Sequence, residues 1–335
     1  MSTDPPRRPA TLDEVAARAG VSRTAASRVL NNAPHVSAVK RAAVERAMRD
    51  LDYQPNRSAR ALARQQAGAV VLAVSLADPV VFADPFFTRI IVGLLDVLEA
   101  TDRHLIICLA ASPRGETRLK NLLSAQGADG ILPLAVQTRD DPLLRLVQSS
   151  EMPAIFGGRP FGPEPRWYVD IDNYGGTRTA LQHLIDLGRT RIATITGPVD
   201  MQVAEVRTRA YREALMLAGL TPHGIAHADF TPPGGAAAMR ELLESHPDLD
   251  AVFIASDNMA MGALPVLRAT GRRIPDDVAV VGYDDLRLTD PPLTTVHQPI
   301  ETMGREMARM LLAVLDGADP SPVILPAKLI VRDSA

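Results

Sequence analysis

The sequence predicts a multidomain protein: an N-terminal all-α helix-turn-helix followed by an α/β core of two doubly wound lobes. Three observations carry this. Apolar residues near the N-terminus recur at helical spacing around a central glycine. Short aliphatic runs alternate with amphipathic segments over the remaining residues, about 270 of them, too many for one ordinary domain. Charge divides in the same way. Residues 1–66 hold 12 Lys and Arg against 6 Asp and Glu, net +6, whereas residues 67–335 hold 24 against 33, net −9. A basic end of this kind suits a phosphate-bearing partner, with an affinity that falls steeply with salt.

Residues 1–10, MSTDPPRRPA, are polar and Pro-rich and are expected to form a disordered tail. Leu12, Val15, Ala16 and Ala19 then fall at i, i+3, i+4 and i+7, giving a first helix one apolar stripe. Gly20 supplies the left-handed residue that closes it, and Ser22 is placed to cap the next helix. In that second helix Ala26, Val29 and Leu30 face inward. Arg23, Thr24, Ser27, Arg28 and Asn31 form one outward stripe. Arg pairs with guanine O6 and N7, while Ser, Thr and Asn suit phosphates or base edges in the major groove. Taken alone, the same face also fits an ordinary solvated helix. Val44, Ala47, Met48 and Leu51 repeat the pattern in a third helix after Ser37, and Tyr53-Gln54-Pro55-Asn56 stops it.

These residues resemble the lactose/galactose repressor (LacI/GalR) family of bacterial transcriptional regulators, through TLDEVAARAGVS, SRVLN, HVS and LDYQPNRSARALA. The resemblance implies a helix-turn-helix domain over 11–55 and a hinge helix over 56–66. It also implies an effector-binding, dimerising core over 67–335 with the fold of periplasmic sugar-binding proteins. The DNA contacts it implies are Thr11, Ser22, Arg23, Thr24, Ser27, Arg28, Asn31, His35, Ser37, Tyr53, Asn56, Arg57, Ala59 and Leu62. Leu62 corresponds to the residue wedged into the minor groove at the operator centre. So short a helix does not persist alone in water, so it is expected to fold on DNA; the other reading is a plain linker. Ala25 and Ala26 replace the family's usual Thr and Val. The lost core methyl groups should cost about 1 to 2 kcal/mol, and a larger neighbour is expected to compensate.

In the core, AVVLAVSL, HLIICLA, DGILPL and PAIF read as buried parallel strands, with helices over 87–100, 117–125 and 142–149. A second series, WYVDID, RIATITG, AVFIAS and VAVVGYDD, alternates with helices near 177–187, 206–218, 236–245 and 259–270. A final strand is expected over 323–331. Lobe 1 is expected to span about 67–166 plus 297–322, and lobe 2 about 167–296 plus 323–335.

Ligands in doubly wound folds sit beyond strand C-termini. Asp284 after VVGY and Asp257 after FIAS lie at such ends, where carboxylates can accept from polyol hydroxyls or an amine, and Asp172 and Asn173 end WYVDID similarly. Asp257 reads equally well as a helix cap. The resemblance places Arg207 and Phe230 beside Asp284 in the pocket. It also matches the family's Asn-Pro-Phe-Phe step with Asp84-Pro85-Phe86-Phe87, whose rings either stack on a ligand or pack. Ser256 stands where sugar-binding relatives often carry Asn, and Gly158 where an Asp often closes the pocket. Arg159 could join Arg207 in holding an anionic group. The effector expected is a sugar or sugar derivative, bound between the lobes and changing operator affinity.

No apolar run reaches membrane-spanning length and no signal core precedes the first helix, so a cytoplasmic protein is expected. Cys108, the only cysteine, is expected to be buried packing. His223 and His227 have helical spacing, but Pro222 and Gly224 point to a loop, and no metal or cofactor motif is present. Catalysis by Asp257 with Asp284 would lack a nucleophile, a general-base His and a phosphate loop. The expectation is a homodimeric, non-enzymatic regulator reading a pseudo-palindromic double-stranded operator, with no C-terminal leucine heptads for a larger assembly. The alternative is a cytosolic small-molecule receptor of the same core fold without DNA regulation.

Overall fold

The computed structural model describes residues 8, 10–30, 36–53, 67–76, 84–136, 138, 140–286 and 289–335. Asn31, His35, Asn56, Arg57, Ala59, Leu62 and the expected hinge helix lie outside the described residues, as does most of the 1–10 tail. The chain divides into two compact units, Met1–Ala67 and Gly68–Ala335.

The first unit holds α1 (Leu12–Ala19), α2 (Arg23–Leu30) and α3 (Ala38–Asp50). Thr11 and Glu14 form a reciprocal capping box at the start of α1. Gly20 ends it at φ 65°, its N–H donating to the carbonyls of Ala16 and Ala17. The core is Val15, Ala16, Ala26, Val29, Val44 and Ala47, with Leu12, Met48, Leu51 and Tyr53 packed against it. Ala26 is fully enclosed despite its short side chain.

The second unit contains two six-stranded sheets. The first is built from β1 (Ala69–Val74), β2 (His104–Leu109), β3 (Gly130–Leu134), β4 (Phe156–Gly157), β5 (Tyr168–Ile171) and β11 (Val323–Leu325). The second is built from β6 (Ile192–Thr196), β7 (Gly224–His227), β8 (Ala251–Ile254), β9 (Ala279–Asp284), β10 (Thr294–His297) and β12 (Lys328–Ile330). The spatial orders are β2-β1-β3-β4-β5-β11 and β7-β6-β8-β9-β10-β12, all parallel except β12 against β10. Both sheets therefore reverse winding at their first strand, the point at which such folds open a crevice.

Helices α4 (Pro85–Leu98), α5 (Pro113–Ser124), α6 (Pro142–Gln148) and α11 (Ile300–Leu315) cover the first sheet. Alternate residues of β1 feed its two faces: Val70, Leu72 and Val74 pack with α4 and α11, and Val71 and Ala73 with α5 and α6. Helices α7 (Asn173–Asp186), α8 (Gln202–Leu217), α9 (Pro232–Ser245) and α10 (Asp257–Ala269) cover the second sheet around one continuous core.

Four expectations are corrected. WYVDID ends the first sheet rather than starting the second, because β5 pairs with β4, so the lobes divide at Asp172 and not near 166. The expected single strand over 323–331 is two: Pro326, without an N–H, breaks the ladder, leaving β11 in the first sheet and β12 in the second. Lobe 1 thus extends to Leu325. Gly224–His227 is a strand and not a loop, its ladder completed by β6 despite the weak local signal. Cys108 is half-buried, since β2 is an edge strand. The chain passes between the lobes at Asp172, at Gln298–Pro299 and at Pro326–Ala327.

Candidate functional site

In the first unit, α2 presents Arg23, Thr24 and Arg28 to solvent, with Ser27 half-exposed beside them, while Ala26 and Val29 point inward. Arg23 sits 3.4 Å from Asp13 of α1, an exposed pair of little energetic weight that keeps the guanidinium at the N-terminal end of α2. Three of the expected DNA contacts are helix caps. Thr11 accepts from the Glu14 N–H at 3.3 Å, Ser22 from the Ala25 N–H at 3.2 Å and Ser37 from the Lys40 N–H at 3.4 Å. The Thr11 hydroxyl donates its proton to the Glu14 carboxylate at 3.1 Å, whereas a capping hydroxyl such as that of Ser22 or Ser37 spends a lone pair on the backbone beside a helix end that attracts anions. Tyr53 is half-buried against the core of this unit.

In the second unit a cavity of about 180 Å³ lies between the lobes, at the strand C-termini. Seven of the eight expected effector residues line it: Phe86, Phe87, Gly158, Arg207, Phe230, Ser256 and Asp284. Asp257 does not. It is the first residue of α10, whose cap is Ser256, and its carboxylate accepts from Thr295 Oγ1 at 2.8 Å and the Leu286 N–H at 2.9 Å. Its role is to pin the loop after β9. Phe87 is buried in the lobe-1 core, whereas the half-exposed Phe86 meets it edge-on at 5.3 Å and faces the cavity. Both rings thus border the cavity, Phe87 from within the lobe-1 core and Phe86 from its edge.

Arg207 lies on α8 and is 5% exposed. Its fork donates to Asn173 Oδ1 at 3.0 and 2.7 Å and to the Ala255 carbonyl, with the guanidinium 3.6 Å over the Tyr283 ring. Arg159 donates to Asp170 at 2.8 Å. Of the two arginines expected to hold an anion, Arg159 is thus paired with a carboxylate and Arg207 with neutral oxygens. Phe230 is held at φ 63°, and its ring tip rests on Gly197, where a Cβ would lie 2.1 Å from Phe230 Cζ.

Asp284 caps the floor at φ 122°, accepting from the Asp257 N–H at 3.2 Å and from Gln298 Nε2. Burial raises its carboxyl above the usual range; Arg207 opposes that shift, and Asp84 across the cleft reinforces it. Burial and then the Asp284 charge raise Asp257 as well, so the pair favours holding a proton. Asp84 is likewise raised by burial. Asn173, a strand-end candidate in the sequence, lines the cavity, whereas Asp84, Asp170 and Gln298 were not singled out as effector contacts. Gln298 also follows a strand end, which is the signal that could have found it.

Residues 11–56 match the bacterial regulatory proteins of the lacI family, and residues 181–335 a periplasmic binding protein-like domain. Over 337 aligned positions the chain is 47% identical to the HTH-type transcriptional regulator CelR of Thermobifida fusca, covering 98% of this chain and 99% of that one. The chain belongs to the LacI family.

Another LacI-family relative, the HTH-type transcriptional repressor CytR of Escherichia coli strain K12, is 33% identical over 97% of this chain and 96% of its own. Among solved structures, a CelR–cellobiose complex superposes with TM-score 0.77 at 45% identity over 98% of this chain and all of that one. The lac repressor dimer bound to operator and the anti-inducer ONPF superposes with TM-score 0.85 at 28% identity, over 98% of this chain and 99% of that one. Like the rest of the LacI family, this chain is a DNA-binding transcriptional regulator and not an enzyme. Among the described residues no helix is long and apolar enough to cross a membrane.

Proposed function

We propose that this LacI-family chain is a cytoplasmic homodimeric repressor whose effector is a neutral glycan of the disaccharide class, with cellobiose as the leading member. The observation that carries the effector class is the state of charge in the cleft. Arg159 is paired with Asp170, and Arg207, bound to neutral oxygens, offsets Asp284, while the carboxylates of Asp84 and Asp229 line the same space with no further cation among the lining residues. An anionic ligand would have to displace those contacts and enter beside the remaining carboxylates in a poorly solvated site. A polyol instead donates to those carboxylates and offers its apolar ring face to Phe86 and Phe230. The cellobiose bound by CelR, a relative nearly half identical to this chain, supports the same class.

A ligand touching both lobes favours whichever lobe arrangement it fits better, and a coupling of about 1 to 3 kcal/mol changes operator affinity roughly 5- to 150-fold. The test is calorimetric titration of the full chain with cellobiose and with cellobiose monophosphate. Cellobiose should bind at least 100-fold more tightly. A preference for the phosphorylated sugar overturns the effector class, and an operator affinity unmoved by saturating cellobiose overturns the allosteric reading.

A further inference from the structure

Helix α4 begins at the cleft and touches lobe 2 twice. Asp84, its cap, accepts from the Phe86 N–H at 2.9 Å and also takes the Asn258 side-chain amide from α10 across the cleft. Arg89, on the same helix, has all three guanidinium nitrogens engaged. Nε and Nη2 donate to Glu301 at 2.7 and 2.9 Å, Nη1 donates to the Asp284 carbonyl at 3.3 Å, and Nη2 also donates to the Gln298 carbonyl at 3.4 Å. One side chain therefore joins a lobe-1 helix, the lobe-2 residue at the cleft floor and the crossover between them.

The two halves of this contact differ in strength. On the lobe-1 side the pair with Glu301 is bidentate and charge-assisted, and α4 and α11 cannot slide apart independently, because they meet at Gly93 and Gly304. A Cβ at Gly93 would lie 2.1 Å from the Glu301 carbonyl oxygen, and one at Gly304 would lie 2.4 Å from that of Ile90. On the lobe-2 side there are two long contacts to neutral carbonyls. An attachment rigid at one end and weak at the other is built to release. The φ of 122° at Asp284 turns its carbonyl to Arg89 while its carboxylate accepts from Gln298 and Asp257.

We infer that Arg89 is a positioning residue that latches the two lobes together through the Asp284 and Gln298 carbonyls and so sets the balance between closed and open clefts. This deepens the effector reading, since the latch regulates the same cleft, but its test needs no effector. In the full chain carrying Cys108→Ser, spin labels are placed at Gln148→Cys on α6 of lobe 1 and Gln182→Cys on α7 of lobe 2, both exposed positions. With excess unlabelled chain added, so that a dimer carries one labelled protomer, double electron–electron resonance should give one dominant distance. Arg89→Met keeps the apolar stem and removes every donor, and should add a second population at a different distance. Arg89→Lys keeps the charge and one donor group, and should give a smaller second population. Superimposable distributions for all three chains overturn the latch. A parent chain that shows the expected distributions yet ignores cellobiose would leave the latch standing and sink only the effector class.

Discussion

At the scale of residues, the Asp257–Asp284 pair carries the most pronounced electrostatics of the core. Both carboxyls are raised by burial, so folding favours their protonated forms. That contribution is complete below the ordinary carboxylate pKa of about 3.9, and it is lost as pH rises through the raised values. Asp284→Asn removes the repulsion and one of the titrations. Thermal unfolding of the variant should depend less on pH between about 5 and 8 than that of the parent, while cellobiose affinity falls at least tenfold. An unchanged pH slope would show that the pair does not share a proton in the folded state. Gly197 is the other residue with an outsized effect. Gly197→Ala forces the Phe230 ring off its seat, and since φ 63° already confines that residue, the ring has little freedom to adjust. A roughly tenfold loss of cellobiose affinity, about 1.4 kcal/mol, is expected in calorimetry, with operator affinity in the absence of sugar unchanged.

At the scale of elements, the second helix of the first unit was legible at Ala26 and Val29 inward and Arg23, Thr24 and Arg28 outward, while Leu30, read as inward, is half-exposed and lies outside the unit's core. The helix's inward positions follow from period 3.6, and Gly20 and Ser22 mark the turn, one by its left-handed backbone and the other by its capping hydroxyl. Arg28→Ala on α2 should cost about 1 to 3 kcal/mol of operator affinity and relax base preference, whereas Lys40→Ala, at the start of α3, should weaken all duplexes more evenly; gel-shift titrations on matched and mutated operators separate the two. Less legible were elements fixed from far away. β5 carries the same aliphatic signature as any buried strand, and nothing within Tyr168–Ile171 states which sheet it joins; the pairing with β4 decides it. Gly224–His227 is weakly apolar because edge strands need only one covered face, so its neighbours and not its own residues make it a strand. In the cleft, the family resemblance pointed to Ser256 and strand-end position to Asp284, and both line the cavity. Strand-end position also pointed to Asp257, which does not, since two acids at equivalent strand ends differ only in what reaches them from Thr295 and Leu286. The engaged arginines were beyond sequence reasoning for a similar reason: Asp170 reaches Arg159 only because β4 and β5 pair, and Asn173 meets Arg207 from a different helix.

At the scale of the whole molecule, charge is partitioned with function. The +6 of residues 1–66 and the −9 of the remainder mean that phosphate attracts one end of the chain and is repelled by the other. Operator affinity should therefore drop by orders of magnitude across a fourfold rise in salt, while cellobiose affinity, governed by hydroxyls and ring faces, should barely move. Fluorescence anisotropy on labelled operator and calorimetry on the sugar read the two responses separately; parallel salt slopes would contradict the division.

The outer strand of the first sheet is supplied by Val323–Leu325, and α11, which covers its inner face, by Ile300–Leu315. During synthesis on the ribosome, α1 to α3 pack on a core of their own and can fold as soon as they emerge, but lobe 1 must wait for the last tenth of the chain. A nascent polypeptide would thus acquire its grip on genes well before the machinery that restrains that grip. Chains stalled before residue 300 should yield a protease-resistant fragment over 11–53 and a readily cleaved remainder.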